Sequence, residues 1–281
     1  MPRPEFVGEF LTRDTRMPPM DRIYRVVQEG ETFFAVDNDA GLHRASLLAP
    51  DDGIFGGYRR GAPVGGGLAA VHVLAPVTPS KIVCVGLNYS DHAAEIGQAL
   101  PAEPLIFLKP STAVIGPGDP IRLPPGVGRV DHEAELGIVI GRRSHRVPRA
   151  RAWESVLGVI CVNDVTARDL QKKESQYTRS KSFDTFAPIG PCIATGFHGE
   201  PRGVEGWVND ERRQSSSTAH LICAIDRLIE FITFVMTLEP GDIISTGTPA
   251  GIGPIVAGDT VTVKVEGVGA LSNPVQDEYI L

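Results

Sequence analysis

The 281-residue sequence predicts a mainly β fold with a few helices (α+β), and three observations point there. Glycine and proline number 31 and 23 and follow no period, so the chain turns often and is not a helical bundle. Apolar runs are short and bounded by those turn residues, as strands are. Only two stretches carry a helical period. Hydrophobic residues make up 42% of the chain, which supports a packed core and excludes a disordered polymer. Length sets an expectation of about two domains. Texture divides them unequally, into a small β-rich unit over residues 1–75 and a larger domain over 76–281.

Residues 1–75 alternate polar and apolar positions, as in IYRVVQEGETFFAV, before the Gly-rich stretch GIFGGYRRGAPVGGG. That pattern reads as hairpins followed by a connection, without concentrated chemistry. Beyond residue 80, strands are expected at 81–86, 105–109, 136–141, 157–163, 242–246 and 260–265. Helices are expected from Thr166 to about residue 175 and from Thr218 to about residue 237. The second places Leu221, Ile225, Leu228, Ile229 and Ile232 on one face. Thr166 with Asp169 three residues on resembles a capping box.

Basic residues number 27 against 34 acidic ones, a net charge of −7, the wrong field for a phosphate backbone, so nucleic acid is excluded as a partner. Apolar runs such as LGIVI and LGVICV fall far below the roughly 20 residues that cross a bilayer. MPRPEFVGEF lacks the apolar stretch of a signal peptide, and the expected location is cytoplasmic. Cys84, Cys161, Cys192 and Cys223 lie far apart without a C-x-x-C, so neither a disulfide framework nor a zinc site is expected.

Chemistry concentrates in the run VDHEAELGIVIG. Glu133 and Glu135 stand two residues apart at the start of an apolar strand, which puts both carboxylates on one face. Such a pair can be a solvated strand face. Here the apolar run that follows implies burial, and two buried like charges need a cation between them. Asp164 ends a similar strand in LGVICVND. Three carboxylates without cysteine are hard oxygen donors suited to Mg²⁺, Mn²⁺ or Ca²⁺ rather than Zn²⁺, with Asp131 and His132 as further ligands or supports. Arg168 and Gln171 share a helical face. Arg168 reads either as an exposed ion pair or, beside a cation, as a reader of a carboxylate or carbonyl together with Gln171.

Six motifs, GLNYSDHAAE, FLKP, DHEAELGIVIG, NDVTARDLQ, KSFDTFAPIGP and LEPGDIISTGTPAGIG, occur in that order from about residue 80 to the end. In this the sequence resembles the fumarylacetoacetate hydrolase superfamily, and the first 75 residues resemble the variable N-terminal part of its shorter bacterial members. The resemblance implies a mixed β-sandwich or roll as the catalytic domain and a homodimer. It implies a divalent cation, usually Mg²⁺ and sometimes Mn²⁺ or Ca²⁺, held by Glu133, Glu135 and Asp164. The implied substrate is a small 2-oxo or β-diketo acid, which a chain with 6% aromatic residues suits.

Other roles follow by the same likeness. His92 and Glu95, three residues apart, are either a surface ion pair or the catalytic dyad, on a segment that orders over the substrate; a carboxylate that orients an imidazole makes a general base. Lys181 is either an ordinary surface lysine or the pocket cation that supports an oxyanion or enolate. Lys109 would have a similar or a supporting role. TGTPAGIG is either a tight turn or the loop whose Thr248 contacts a substrate carboxylate, and it lacks the G-K-[ST] of a phosphate loop. The implied activity is metal-dependent hydrolysis of a carbon–carbon bond in an acylpyruvate such as fumarylpyruvate. Isomerisation, tautomerisation or decarboxylation of 2-oxo diacids is the alternative, and a non-catalytic metal-binding module is a further one.

Overall fold

The computed structural model describes residues 20–38, 41–95, 97 and 101–278. Residues 1–19 of the expected N-terminal unit, including the segment read for a signal peptide, lie outside them. The described chain opens with β1 (Arg22–Gln28), β2 (Glu31–Asn38), β3 (Gly41–Leu47), β4 (Tyr58–Pro63) and β5 (His72–Leu74). Glu29 and Gly30 join β1 to β2 with φ of 51° and 82°, a two-residue turn whose handedness matches the twist of the strands.

β6 (Lys81–Gly86), α1 (Ser90–Glu95), β7 (Leu105–Pro110), β8 (Val114–Ile115) and β9 (Ile121–Leu123) follow. Next come β10 (Val130–His132), β11 (Ala134–Ile140), β12 (Val156–Asn163), β13 (Thr166–Ala167), α2 (Arg168–Lys173) and α3 (Thr178–Lys181). The last third holds β14 (Ala187–Ala194), the hairpin β15 (Gly203–Val208) and β16 (Glu211–Ser217), α4 (Ile225–Val235), β17 (Ile243–Ser245), β18 (Gly253–Pro254), β19 (Thr260–Val265) and β20 (Gly269–Asp277).

One large sheet runs β4-β3-β2-β1-β14-β12-β11-β17-β6-β7, with β5 added on β1 and β8 on β14. A five-stranded sheet runs β16-β15-β19-β20-β9, and a small one runs β13-β10-β18. The N-terminal hairpins therefore share the main sheet, since β1 pairs antiparallel with β14 through Arg22 opposite Ala194 and Ile23 opposite Ile193.

Two-residue periodicity splits the main sheet into two cores. Val83, Val85, Leu136, Ile138 and Ile140 face Leu228, Ile229 and Ile232 of α4 and Val263 and Leu271 of the five-stranded sheet. Ile82, Cys84, Val139, Ile160 and Val162 face the opposite way, against Ile54, Val77 and Ile189. β11 is buried at every position, as a strand covered on both faces must be. Each fully buried Leu or Ile contributes about 1.5–3 kcal/mol. Gly137 permits the close pairing of β11 with β12, because a Cβ there would stand 2.5 Å from Val162 Cγ2.

The fold is thus mainly β with few helices, and all four cysteines are free. Among the described residues no helix is long and apolar enough to cross a membrane. Both expected helices are shorter than their patterns. Thr166 pairs with Asp131 in a strand and its hydroxyl donates to the Asp164 carbonyl, while the Asp169 carboxylate accepts from the Arg129 amide, so no capping box forms and α2 starts at Arg168. At the second helix, residues 218–220 make one 3₁₀ turn. Leu221 is then bridged to Tyr89, and the amides of Ile222 and Cys223 go to Asn88, which delays α4 until Ile225. Strands β14, β15, β16 and β20 have no counterpart among the sequence expectations.

Candidate active site

The ladder between β11 and β12 brings the acidic residues together. Glu135 is the second residue of β11, Glu133 lies in the break before it, and Asp164 follows β12. Ala134 stands opposite Asn163. The Asp164 amide donates to the Glu133 carbonyl at 2.9 Å, and the Glu133 amide donates to Asn163 Oδ1 at 3.0 Å. The three carboxylates are buried, and their ligand oxygens lie within 4.8 Å of one another.

Each carboxylate has a different set of partners. Burial, and after it the charges of Asp164 and Glu133, push the Glu135 carboxyl up to about 8. Ser245 Oγ at 2.5 Å and the Gly247 amide at 2.8 Å donate to it in partial relief. Burial would also raise Glu133, but the Lys181 ammonium and Arg168 guanidinium outweigh it and hold that carboxyl below its ordinary value. Lys181 Nζ lies 2.8 Å from Glu133 Oε2 and 2.6 Å from Asp164 Oδ2. Burial disfavours its charge, yet Asp164 and Glu133 prevail and raise its pKa.

Arg168 donates to Glu133, to Gln171 and, at 2.8 Å, to Asp131 Oδ2. It is therefore a buried ion-pair member and not a surface one. Asp131 is closed from its other side by Arg129 at 2.6 and 3.1 Å, so it orients Arg168 and stays out of the carboxylate cluster. His132 also stays out; both its ring nitrogens are buried without a hydrogen-bond partner. Burial, then the charge of Arg213, lowers its pKa.

His92 and Glu95 meet across one turn of α1, with Nδ1 3.0 Å from Glu95 Oε2. The other Glu95 oxygen accepts from the Gly251 amide at 3.0 Å. Eight of the ten site residues expected from sequence line one pocket of about 420 Å³, whose wall Phe107 and Tyr177 complete. Those two rings meet edge to face at 5.4 Å. Glu95, exposed, and Lys109, buried, are outside that lining. Lys109, fully buried, donates to Asp164 Oδ1 at 2.5 Å and to the Val165 carbonyl at 3.0 Å, a supporting position. Thr248 lines the pocket, but its hydroxyl donates to the Ala134 carbonyl at 3.0 Å and accepts from Gln214 at 2.7 Å.

Gln214 escaped the sequence reading. From β16 its amide oxygen accepts from the Ala134 amide at 2.9 Å, and its nitrogen serves Thr248 and the Pro249 carbonyl. It thereby locks the strand between the two glutamates to the loop that carries Thr248. The available signal was weak: Gln214 lies in a hairpin, DERRQSSS, that reads as solvated surface.

These features define a polar pocket lined by a cluster of hard oxygen donors and an imidazole held by a carboxylate. Residues 81–276 match the model of the fumarylacetoacetate (FAA) hydrolase C-terminal family, and the chain belongs to that family of enzymes. It is similar to the structure of 5-carboxymethyl-2-hydroxymuconate delta-isomerase from Mycobacterium smegmatis, with a TM-score of 0.82 and 43% identity over 92% of this chain and 100% of that one. It is 40% identical over 218 residues to oxaloacetate tautomerase fahd2, mitochondrial, of Xenopus laevis, across 73% of this chain and 68% of that one. Maleylpyruvate hydrolase from Sphingobium sp. SYK-6, solved with manganese(II) and pyruvate, has a TM-score of 0.74 and 31% identity over 92% of this chain and 100% of that one.

Proposed function

We propose that the protein is a divalent-metal-dependent hydrolase that cleaves a carbon–carbon bond in an acylpyruvate or similar β-diketo acid. The observation that carries this reading is the His92–Glu95 pair in hydrogen-bond contact, with His92 on the same pocket wall system as Glu133, Glu135 and Asp164. The donor set fits a hard cation: the three buried side chains offer only oxygen, with their ligand atoms within 4.8 Å of one another. Glu133, Glu135 and Asp164 would hold Mg²⁺, or Mn²⁺ or Ca²⁺ in its stead. When bound, the cation supplies Lewis-acid polarisation of the substrate's carboxylate and adjacent carbonyl oxygens.

The protein's own groups supply the rest. Arg168 and Gln171 read the oxo-acid end. Glu95 accepts a hydrogen bond from the Nδ1–H of His92, which leaves Nε2 free to take a proton from water. The water oxygen bonds to the distal carbonyl carbon, and the bond from that carbon to the methylene breaks. Its electron pair stays with the pyruvate fragment as an enolate, whose charge the Lys181 ammonium supports. His92 returns the proton to the methylene carbon, giving pyruvate and a carboxylic acid. In this reading residues 1–75 are an appendage to the catalytic domain of 76–281, and the enzyme is a cytoplasmic homodimer.

A second reading is favoured by the two relatives named as an isomerase and a tautomerase. There His92 takes a proton from the carbon beside the carbonyl instead of from water. Purified protein with Mg²⁺ or Mn²⁺, offered acylpyruvates, fumarylpyruvate and oxaloacetate, separates them. Hydrolysis releases pyruvate and a carboxylic acid from the acylpyruvates as the enol absorbance falls, tautomerisation changes the absorbance of oxaloacetate without releasing pyruvate, and inertness toward the whole panel sinks both.

A further inference from the structure

The polar side chains that line the catalytic pocket fall into two sets. Arg168, Gln171, Lys181 and Thr248 are each hydrogen-bonded within the protein. The Lys172 ammonium and the Ser175 and Tyr177 hydroxyls line the same pocket and have no hydrogen-bond or ion-pair partner among the described residues. These three lie in one short stretch, from the end of α2 to the residue before α3. Tyr177 is held there by the edge of the Phe107 ring, and its carbonyl accepts from the Lys181 amide at 3.1 Å.

Charge sorts the same way. Lys109, Lys181 and Arg168 stand against the three cluster carboxylates, and Glu174 on the lining binds Arg179 at 3.1 Å. Lys172 is left as a lining cation without a counter-charge among the described residues. It follows Arg168 by four residues, on the same face of α2 and about 6 Å further along the helix axis, so the lining runs from a buried guanidinium out to an exposed ammonium. An extended carbon chain advances about 1.2 Å per bond. Two carboxyl carbons about five bonds apart therefore match that offset.

We propose that Lys172 is a specificity-determining residue: with the Ser175 and Tyr177 hydroxyls it receives the second carboxylate of a dicarboxylic substrate whose oxo-acid end lies at Arg168 and Gln171. The proposal rests on the functional reading above and assigns the choice between monoacid and diacid to a residue outside the carboxylate cluster and the His92–Glu95 pair. Calorimetric binding of 2-oxohexanoate and 2-oxohexanedioate in the presence of Mg²⁺ tests it without turnover, since the two acids differ only at the far end. At low ionic strength the ion pair should make the diacid bind about fivefold more tightly. Lys172→Met should bring that ratio close to one and leave the monoacid unchanged, and Lys172→Glu should invert it. Lys173→Met, which removes the same charge one residue away and outside the lining, should keep the wild-type ratio. Equal binding of the two acids by the wild type, a ratio that survives in Lys172→Met, or one that falls equally in Lys173→Met overturns this proposal alone. Failure of both acids to bind would overturn the functional reading with it.

Discussion

Replacing Lys181 by methionine tests how the carboxylate cluster is neutralised in the metal-free protein. The ammonium lies 2.8 Å from Glu133 and 2.6 Å from Asp164, and all three groups are buried. Methionine retains the bulk of the stem and removes the charge, so both carboxylates lose a partner that water cannot replace. Breaking a buried pair by removing one member costs about 3–5 kcal/mol. The loss here falls at the lower end, about 3 kcal/mol, because Arg168 still binds Glu133 and Lys109 still binds Asp164. For a chain of this size each kcal/mol lowers the melting temperature by about 2–4 °C, so the variant should melt about 6–12 °C below wild type in chelator. Calorimetric melting with and without Mg²⁺ is the assay. With Mg²⁺ the deficit should shrink, since a ligand of the native state adds stability of its own. A variant that melts within about 2 °C of wild type in chelator would refute the assignment of Lys181 as the cluster's internal counter-charge.

The remaining expectations concern pH, the base and the buried amide. Glu135 ordinarily titrates at 4.5 and is pushed up to about 8 by burial and then by its acidic neighbours. A raised folded-state value favours the protonated native state, so that stabilisation is complete below 4.5 and is lost as pH rises toward 8. In chelator the melting temperature should fall across that window, and Glu135→Gln should flatten the slope; a slope that survives the substitution counts against this origin. His92→Ala should lower hydrolysis by about 10²–10⁴ and Glu95→Gln by less, while both keep the Mg²⁺-induced rise in melting temperature. Undiminished hydrolysis in His92→Ala would remove it as the base. Gln214→Ala leaves the Ala134 amide without its acceptor, which costs about 1–3 kcal/mol. It should raise KM with a smaller effect on kcat, and kinetics unchanged on a stable fold would limit Gln214 to a structural role.

What could be read from the sequence was local, and what could not was pairing at a distance. The two-residue spacing of Glu133 and Glu135 needed only strand geometry, and Asp164 joined them because an apolar run before it marked a second buried strand. The same reasoning could not see that Gln214, 80 residues from Ala134, would be the amide that fixes that strand. Nor could it see that Asp131 would be taken by Arg129 and Arg168. The helix expected from Thr218 kept its apolar face only from Ile225 onward, because Asn88 and Tyr89 drew the preceding residues into cross-chain hydrogen bonds. Tertiary pairing overrode a correct local period. β15 and β16 went unseen because a hairpin with one polar face and arginines along it looks like solvated loop until a second sheet packs on it.

The loop after β17 sets the spacing between two carboxylates, Glu135 and Glu95. Its Gly247 amide holds Glu135, and its Gly251 amide holds Glu95; four residues span at most about 14 Å. Gly251 is itself seated so closely that a Cβ would meet the Arg213 carbonyl at 2.0 Å, which keys the loop to β16 at the same point. The loop therefore serves as a ruler with one mark on the carboxylate cluster and the other on Glu95, the partner of His92. Translation of the loop carries both marks together, whereas a residue inserted between the two glycines would reset the distance between Glu135 and Glu95 without altering either side chain.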